Sequence, residues 1–302
     1  MSAVSDAPTP LEEAPAGLDG GRPLFLKRED VHELGAFKWR GALPALEVFR
    51  QRGADAVVTA STGNHGAASA WAAERTGMRA IVFAPEGASQ AKLELLERLG
   101  AEVHLVGEDL DAAKDLGRGW ASERGLPFFE DGAEPAQFDG YAAIGRELLD
   151  QLGVAPARVV VPVGNGALLI GVARAVGDAT VGVVAKAAPV MALSVAEGRP
   201  VPCDDSDTFA DGMAVRVAVP LAVTELAGLG VPMLKVSERA LARAVGAYAQ
   251  AGIRVEGSGA ASLAAHLALG PADGPTVLIV TGRNIDDGVH QRAVDEPEGF
   301  PD

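Results

Sequence analysis

Residues 24–42 read Leu-Phe-Leu-Lys-Arg-Glu-Asp-Val-His-Glu-Leu-Gly-Ala-Phe-Lys-Trp-Arg-Gly-Ala, and they set one lysine, Lys38, between Phe37 and Trp39. The apolar run Leu24 to Leu26 predicts a short strand. Charged residues and Gly35 then predict a turn, and the apolar residues around Trp39, Ala42 and Leu43 predict the start of a helix. An amine partly desolvated at such a junction is suited to attack a carbonyl carbon, which is the chemistry of a Schiff-base lysine. A lysine whose stem lies along an amphipathic helix start with its charge in water fits the same residues. The stretch alone leaves both readings open.

Three other turns carry groups that can hold a small ligand: Ser61-Thr62-Gly63-Asn64-His65-Gly66, Gly164-Asn165-Gly166-Ala167-Leu168 and Thr281-Gly282-Arg283-Asn284. Each offers backbone N–H groups, small hydroxyls or an amide. The middle one suits an anion best, because its glycines allow close backbone approach and the helix after it points its positive end at the ligand. It is no Walker loop, since no Gly-Lys-Ser/Thr follows, and it lacks the spacing and acidic partner of a dinucleotide fingerprint. A plain tight turn between strand and helix fits it equally.

The elements that must position these residues alternate between strand and helix. Strands are expected at 56–60, 79–84, 102–106, 158–163, 180–185 and 276–280. Helices are expected at 67–76, 89–99, 142–152, 168–176, 238–250 and 260–268, with Gly100 as a C-cap. The first 21 residues, rich in Ala, Pro, Gly and acidic side chains, read as an irregular arm, and 189–234 as a long, less regular segment. This rhythm is that of an α/β protein with parallel sheets, whose ligands sit at the carboxyl ends of the strands. Two domains are expected, a large one of 1–51 plus 140–302 and a small one of 52–139.

Composition narrows the function. With 302 residues, 48% of them apolar, the chain can bury a large core. A formal net charge of -15 leaves no basic stripe for a nucleic acid. No basic segment followed by an apolar core marks export, so no membrane partner is expected. The one cysteine, Cys203, excludes an internal disulfide and reads as a bystander thiol among acidic neighbours, which fits a cytoplasmic protein.

Taken together, the motifs resemble the β-family, or fold-type II, of pyridoxal-phosphate enzymes, and most closely its serine/threonine dehydratase group. Lys27 to Ala42 is similar to the family's Lys-x-Glu-x-x-x-x-Thr-Gly-Ser-Phe-Lys-x-Arg-Gly-Ala segment, with Leu34 for Thr and Ala36 for Ser. Ser61 to His65 resembles its Ser-x-Gly-Asn-His turn, and 164–168 its Gly-Gly-Gly-Gly-Leu phosphate loop. Ala210 to Val215, Glu256 to Ala260 and Thr281 to Asp286 resemble the later motifs, in the family's order. The resemblance implies two domains, each an open, mostly parallel twisted sheet flanked by helices. It implies pyridoxal 5'-phosphate as cofactor, with Lys38, Phe37, Asn64, Gly164, Asn165, Gly166, Ala167, Leu168, Glu256 and Thr281 around it. The substrate would meet Ser61, Thr62, Gly63, Asn64, His65 and Arg283, and Lys38 and Thr62 would be the catalytic residues.

The implied reaction is loss of water from a β-hydroxy amino acid such as threonine or serine, giving a 2-oxo acid and ammonium. The Thr281 hydroxyl would face the pyridine nitrogen and keep it unprotonated, a weaker electron sink that favours elimination. Thr62 stands where dehydratases often have alanine, which keeps β-replacement and racemisation as alternatives. A non-catalytic binding protein of the same fold is the alternative from another class. Asn165 and Ala167 replace glycines, and alanine does not readily take positive φ, so altered phosphate geometry is expected. Arg283 replaces a glycine and is expected either to meet an acidic substrate group or to form an internal salt bridge. No metal is expected, because Val184, Ala188 and Val190 fall where a racemase has its cation ligands. His104 in a strand, His266 on a helix and His290 in a tail read as structural, Asp204, Asp205 and Asp207 as a solvated loop, and His32 as better placed to meet substrate. A homodimer without an appended regulatory domain is expected.

Overall fold

The fold is that of a computed structural model, which describes residues 7–18, 23–203 and 206–302. In chain order, β1 (Leu11–Glu13) and β2 (Leu24–Arg28) precede α1 (Trp39–Gln51), β3 (Ala56–Ala60), α2 (Asn64–Thr76), β4 (Arg79–Ala84) and α3 (Gln90–Arg98). Then come β5 (Glu102–Leu105), α4 (Leu110–Glu123), α5 (Pro135–Leu152), β6 (Arg158–Pro162), α6 (Ala167–Val176) and β7 (Thr180–Ala185). α7 (Val190–Glu197), α8 (Pro220–Leu229), β8 (Met233–Val236), α9 (Glu238–Gln250), α10 (Gly257–Leu269), β9 (Thr276–Val280) and α11 (Asp287–Asp295) follow. The chain divides into two compact units. The first is Met1–Phe37, Ala142–Ala218 and Val223–Asp302, and the second is Lys38–Tyr141 with Val219–Ala222.

In the first unit the described residues form a six-stranded sheet of order β1-β2-β9-β6-β7-β8, parallel except for β1. Its central strands are runs of branched residues, Val159-Val160-Val161 and Val277-Leu278-Ile279-Val280, all wholly buried. Burial at every position rather than every second one is the mark of a parallel sheet covered on both faces. α10 packs on β6, β7, β8 and β9, while α6 packs on β6 and β7. Leu26, Val160, Leu278, Tyr248 and Leu263 share one core cluster.

Of the N-terminal arm, residues 1–6 and 19–21 lie outside the described residues, and the part between them is more ordered than its composition suggests. Leu11 lies opposite Lys27 in an antiparallel pairing that makes β1 the sheet edge. Lys27 is wholly buried, and its ammonium donates to the Thr9 carbonyl at 2.6 Å, Glu147 at 2.7 Å and Gln151 at 2.9 Å. All three of its donors are thereby used, which is the condition for burying a charge at tolerable cost. The arm is pinned at Thr9 by an interaction that short-range sequence patterns do not carry.

The second unit holds a parallel three-stranded sheet of order β3-β4-β5. α2 and α4 pack on β3 and β4, and α1 packs on α2. α2 is dense in alanine, which lets it approach closely, and its one large apolar side chain, Trp71, is 1% exposed and meets Trp39 edge-on at 5.9 Å. Gly41 in α1 is required by close packing, since a Cβ there would lie 2.6 Å from the Tyr141 hydroxyl and 2.9 Å from its ring carbon Cε1.

Residues 189–234, expected to be less regular, contain α7, a 3₁₀ turn at Asp211–Met213 and α8. α7 and α8 are apolar nearly all round, so they lack the one-sided stripe by which an amphipathic helix is read. His290 lies on α11 rather than in a tail. The acidic residues Asp204 and Asp205 lie outside the described residues, and Asp207 is exposed. Among the described residues no helix is long and apolar enough to cross a membrane, and no three His, Cys, Asp or Glu side chains are grouped to hold a metal ion.

Trp71→Ala removes the largest buried side chain of α2 and is expected to destabilise the protein by about 3–5 kcal/mol. A lower denaturant midpoint at unchanged slope would show it, and an unchanged midpoint would contradict the packing described.

Candidate active site

Lys38 is the residue that opens α1. Its backbone is already helical (φ -64°, ψ -18°), and its carbonyl accepts from the N–H groups of Gly41 at 3.2 Å and Ala42 at 3.0 Å. Its side chain is only 13% exposed and its ammonium forms an ion pair with Asp131. Asp131 is held in turn by Gln137, a wholly buried amide whose Nε2 donates to Asp131 Oδ1 at 3.1 Å while its Oε1 accepts the Gly132 N–H at 2.9 Å.

In the same unit, the turn after β3 opens α2 at Asn64 with Gly63 at the cap. The Gly63 N–H donates to Ser61 Oγ at 3.2 Å, an ordering of the turn by its own hydroxyl. A Cβ on Gly66 would strike the Ser61 carbonyl and lie 3.3 Å from Leu96. Ser61, Thr62 and Asn64 are half-buried, whereas His65 is buried. His65 Nε2 lies 3.1 Å from the Phe129 carbonyl, and the two rings are 4.6 Å apart. A carbonyl only accepts, so Nε2 carries the proton. Burial pushes the imidazole below its ordinary value; Asp131 opposes that push and Lys38 adds to it.

In the first unit, the turn after β6 ends at Gly166, which has φ +89° and precedes α6 without a side-chain cap. Gly166 is the position that needs glycine. Asn165 and Ala167 have negative φ, and Ala167 is the first residue of α6, so alanine there causes no backbone strain. The positive φ on which the expectation of an altered phosphate geometry rested is absent at both positions. Gly164 needs glycine for a different reason: a Cβ would meet the Gly212 carbonyl oxygen in the 3₁₀ turn at Asp211–Met213.

The turn after β9 is fixed by two backbone contacts and one side-chain contact to the segment leading to Lys38. The Thr281 carbonyl accepts the Phe37 N–H at 3.0 Å, the Arg283 N–H donates to the Gly35 carbonyl at 2.9 Å, and Asn284 Nδ2 donates to the Leu34 carbonyl at 2.7 Å. Glu256, 7% exposed, caps α10, and its backbone N–H donates to the Gly282 carbonyl at 3.0 Å. A Cβ on Gly282 would lie 2.8 Å from the Glu256 carboxylate. Two hydroxyls here are buried without a hydrogen-bond partner, Thr281 Oγ and Ser258 Oγ. A buried hydroxyl left unpaired costs free energy, so these are places where a ligand atom would be welcome.

Arg283 is exposed and, among the described residues, has no ion-pair partner, so the internal salt bridge is not formed. His32 accepts the Leu34 N–H through Nδ1 at 3.2 Å. His104 stacks on Phe83 at 4.9 Å and pairs with Glu102, and His266 is buried in α10. Sequence reasoning missed Asp131, Gln137 and Ser258. Ser258 sat inside a matched motif, but Asp131 and Gln137 belong to no motif, and their partner Lys38 is far away in the chain.

The family model described as "Pyridoxal-phosphate dependent enzyme" matches residues 4–282. The chain belongs to this family. Within it, the chain is 34% identical over 275 residues to an L-threonine ammonia-lyase of Geobacter sulfurreducens, covering 88% of this chain and 68% of that one. A second L-threonine ammonia-lyase, of Thermotoga maritima, is 32% identical over 287 residues, with 91% and 71% covered. Among solved structures, the processed form of threonine deaminase isoform 2 from Solanum lycopersicum superposes with a TM-score of 0.90 at 29% identity, covering 97% of this chain and 89% of that one. Maize serine racemase superposes with 0.84 at 26%, covering 95% and 91%. The protein is thus a fold-type II pyridoxal-phosphate enzyme of the serine/threonine dehydratase group, and its cofactor is pyridoxal phosphate.

The residues present suit that cofactor. Gly166 opens α6 without a side-chain cap, which leaves the first N–H groups of the helix to an anion, Thr281 offers an unpaired hydroxyl, and Lys38 offers an amine.

Two outcomes follow from these contacts. Gly164→Ala drives a methyl group into the Gly212 carbonyl, so it is expected to lower stability by about 1–3 kcal/mol and to weaken retention of the cofactor on dialysis; full stability and retention would contradict the packing. His65 has a folded-state value below the 6.5 of a free imidazole, so the unfolded chain takes up its proton first as pH falls. The stability it contributes is complete above that value and is lost as pH drops through it toward the folded-state value. His290 and His266 are lowered too and act in the same direction. His65→Gln should therefore show a shallower fall in Tm than the parent between about pH 7.5 and about pH 5. Parallel curves would refute this role for burial.

Proposed function

We propose that the protein is a pyridoxal-phosphate-dependent ammonia-lyase that converts threonine, serine or a related β-hydroxy amino acid to a 2-oxo acid and ammonium. The observation that carries this reading is Lys38, an amine held at the opening of α1 within the segment that matches the family's Schiff-base motif. The likeness of the chain to two L-threonine ammonia-lyases, each covered over more than two thirds of its length, supports threonine as the first substrate to test.

When bound, the cofactor supplies the electron sink for chemistry at the substrate α-carbon. The chain supplies the rest. Lys38 holds the cofactor and, once free, takes the α-proton. Loss of the β-hydroxyl as water, followed by hydrolysis of the remaining nitrogen, gives the 2-oxo acid and ammonium. Phosphate binding at the turn after β6 needs no side-chain charge: the backbone of Gly164, Asn165, Gly166, Ala167 and Leu168 at the start of α6 is the proposed cradle. Thr281 is assigned to the ring nitrogen, and Phe37, Asn64 and Glu256 to the ring and its substituents. Ser61, Thr62, Gly63, Asn64 and His65 are assigned to the substrate carboxylate, and Arg283 to its side chain.

We assign residues 52–139, which fall within the second unit, as the small mobile domain, and residues 1–51 with 140–302, Lys38 among them, as the cofactor-binding one. A cytoplasmic homodimer that acts on a small molecule, with no nucleic-acid or membrane partner, fits the acidic composition and the one cysteine. A second reading, racemisation or β-replacement, is favoured by one observation, the Thr62 hydroxyl on the half-buried turn before α2.

The purified protein is expected to absorb visible light through its lysine-bound cofactor and to release 2-oxo acid from threonine or serine. Lys38→Ala should abolish that absorbance and lower kcat by about 10²–10⁴. A protein that takes up no cofactor would refute the assignment. Retained cofactor with inversion of the α-carbon and no 2-oxo acid would select the racemase instead.

A further inference from the structure

Asp131 lies outside every motif through which the chain resembles its family, yet it is the carboxylate that meets the Lys38 amine. Both side chains are 13% exposed. The carboxylate is set by a wholly buried side chain, since Gln137 donates to Oδ1 at 3.1 Å and is itself anchored on the Gly132 N–H at 2.9 Å. Oδ2 is the oxygen that faces Lys38.

Three further titratable groups lie near the pair. His65 Nδ1 lies 4.0 Å from Asp131 Oδ1, but its proton is on Nε2, directed to the Phe129 carbonyl, and burial keeps the ring neutral. Tyr141 is kept protonated by burial. Glu130 is engaged with Lys114 and, at 2.9 Å, with Arg118.

We propose that Asp131 is a positioning residue that pairs with the Lys38 ammonium whenever that lysine is not bonded to the cofactor. This rests on the reading of Lys38 as the Schiff-base residue. The pair has two effects of opposite sign. Capture of the cofactor forms a bond between the Lys38 nitrogen and the aldehyde carbon and expels the aldehyde oxygen as water. That bond needs the nitrogen lone pair, so Lys38 must give up a proton to Asp131 or to solvent and leave its contact with Asp131, and a carboxylate that holds the nitrogen in that contact slows the step. In turnover the order reverses. Lys38 becomes an ammonium by taking the α-proton, and a fixed carboxylate stabilises it in place until the proton moves to the departing hydroxyl.

Asp131→Asn keeps the shape and the acceptor for Gln137 while removing the charge. Stripped of cofactor and mixed with pyridoxal phosphate near neutral pH, it is expected to gain visible absorbance about tenfold faster than the parent. The loaded variant should lose about tenfold in kcat with little change in KM, and Asp131→Glu should restore part of both. A merely structural role would slow capture and turnover together. That result, or equal capture rates, would overturn the proposal. Asp131→Ser replaces the amide variant in the same two measurements if the amide variant does not fold. A parent protein that captures no cofactor, or capture that survives Lys38→Ala, would overturn the reading of Lys38 along with this one, whereas unchanged capture in Asp131→Asn overturns the role of Asp131 alone.

Discussion

The segment that leads into Lys38 is held by a backbone clamp. Residues 34–37 run beside residues 281–284, joined by two backbone bonds, the Phe37 N–H to the Thr281 carbonyl and the Arg283 N–H to the Gly35 carbonyl, and reinforced by the Asn284 side-chain amide, which donates to the Leu34 carbonyl. The lysine follows immediately in the chain. β9 delivers Thr281 from the middle of a buried parallel sheet, so the clamp is referred to the most rigid part of the first unit. Backbone hydrogen bonds suit this purpose because they fix direction as well as distance, and they survive changes in the side chains around them.

Such a clamp requires that backbones approach closely, which explains where glycine is indispensable. Gly35 has φ +67° and would place a Cβ against the Asn284 amide. Gly259 would place one against the Gly282 carbonyl, and Gly212 one at 2.8 Å from Ser258 Oγ. These glycines and Gly164 lie in separate motifs, and each is constrained by another of them. The motifs are therefore one packing unit, and a residue larger than hydrogen at any of these points would displace a neighbour.

Much of the fold was legible because its strands are continuous branched runs bounded by turn residues: 56–60, 79–84, 180–185 and 276–280 coincide with β3, β4, β7 and β9. Helix α9 coincides with its expected span because it is amphipathic and opens on Ser237, whose side chain caps Ala240. β1 escaped notice because three residues carry no periodicity, and its pairing depends on Lys27 and Thr9. α4 and α11 have capping aspartates, Asp109 and Asp286, that were available as start signals. In the candidate site, turns were legible since their chemistry lies in the local backbone. Asp131 was not, because its meaning comes from Lys38, 93 residues away.

The Lys38–Asp131 pair is poorly explained as a device for stability. Taking two charges largely out of water costs about as much as their attraction returns, and a well-packed apolar pair of similar volume would serve the fold as well or better. By contrast, Lys27 is buried with all three donors matched to arm and helix, and it ties β1 and α5 to the sheet. The two lysines differ in how the fold holds them. Lys27 is locked by partners on every donor, whereas Lys38 stands at a helix opening, partly reached by solvent, where a carboxylate faces it across an exchangeable contact. A charge retained in that setting is better explained by a reaction that makes and unmakes it than by the folding of the chain.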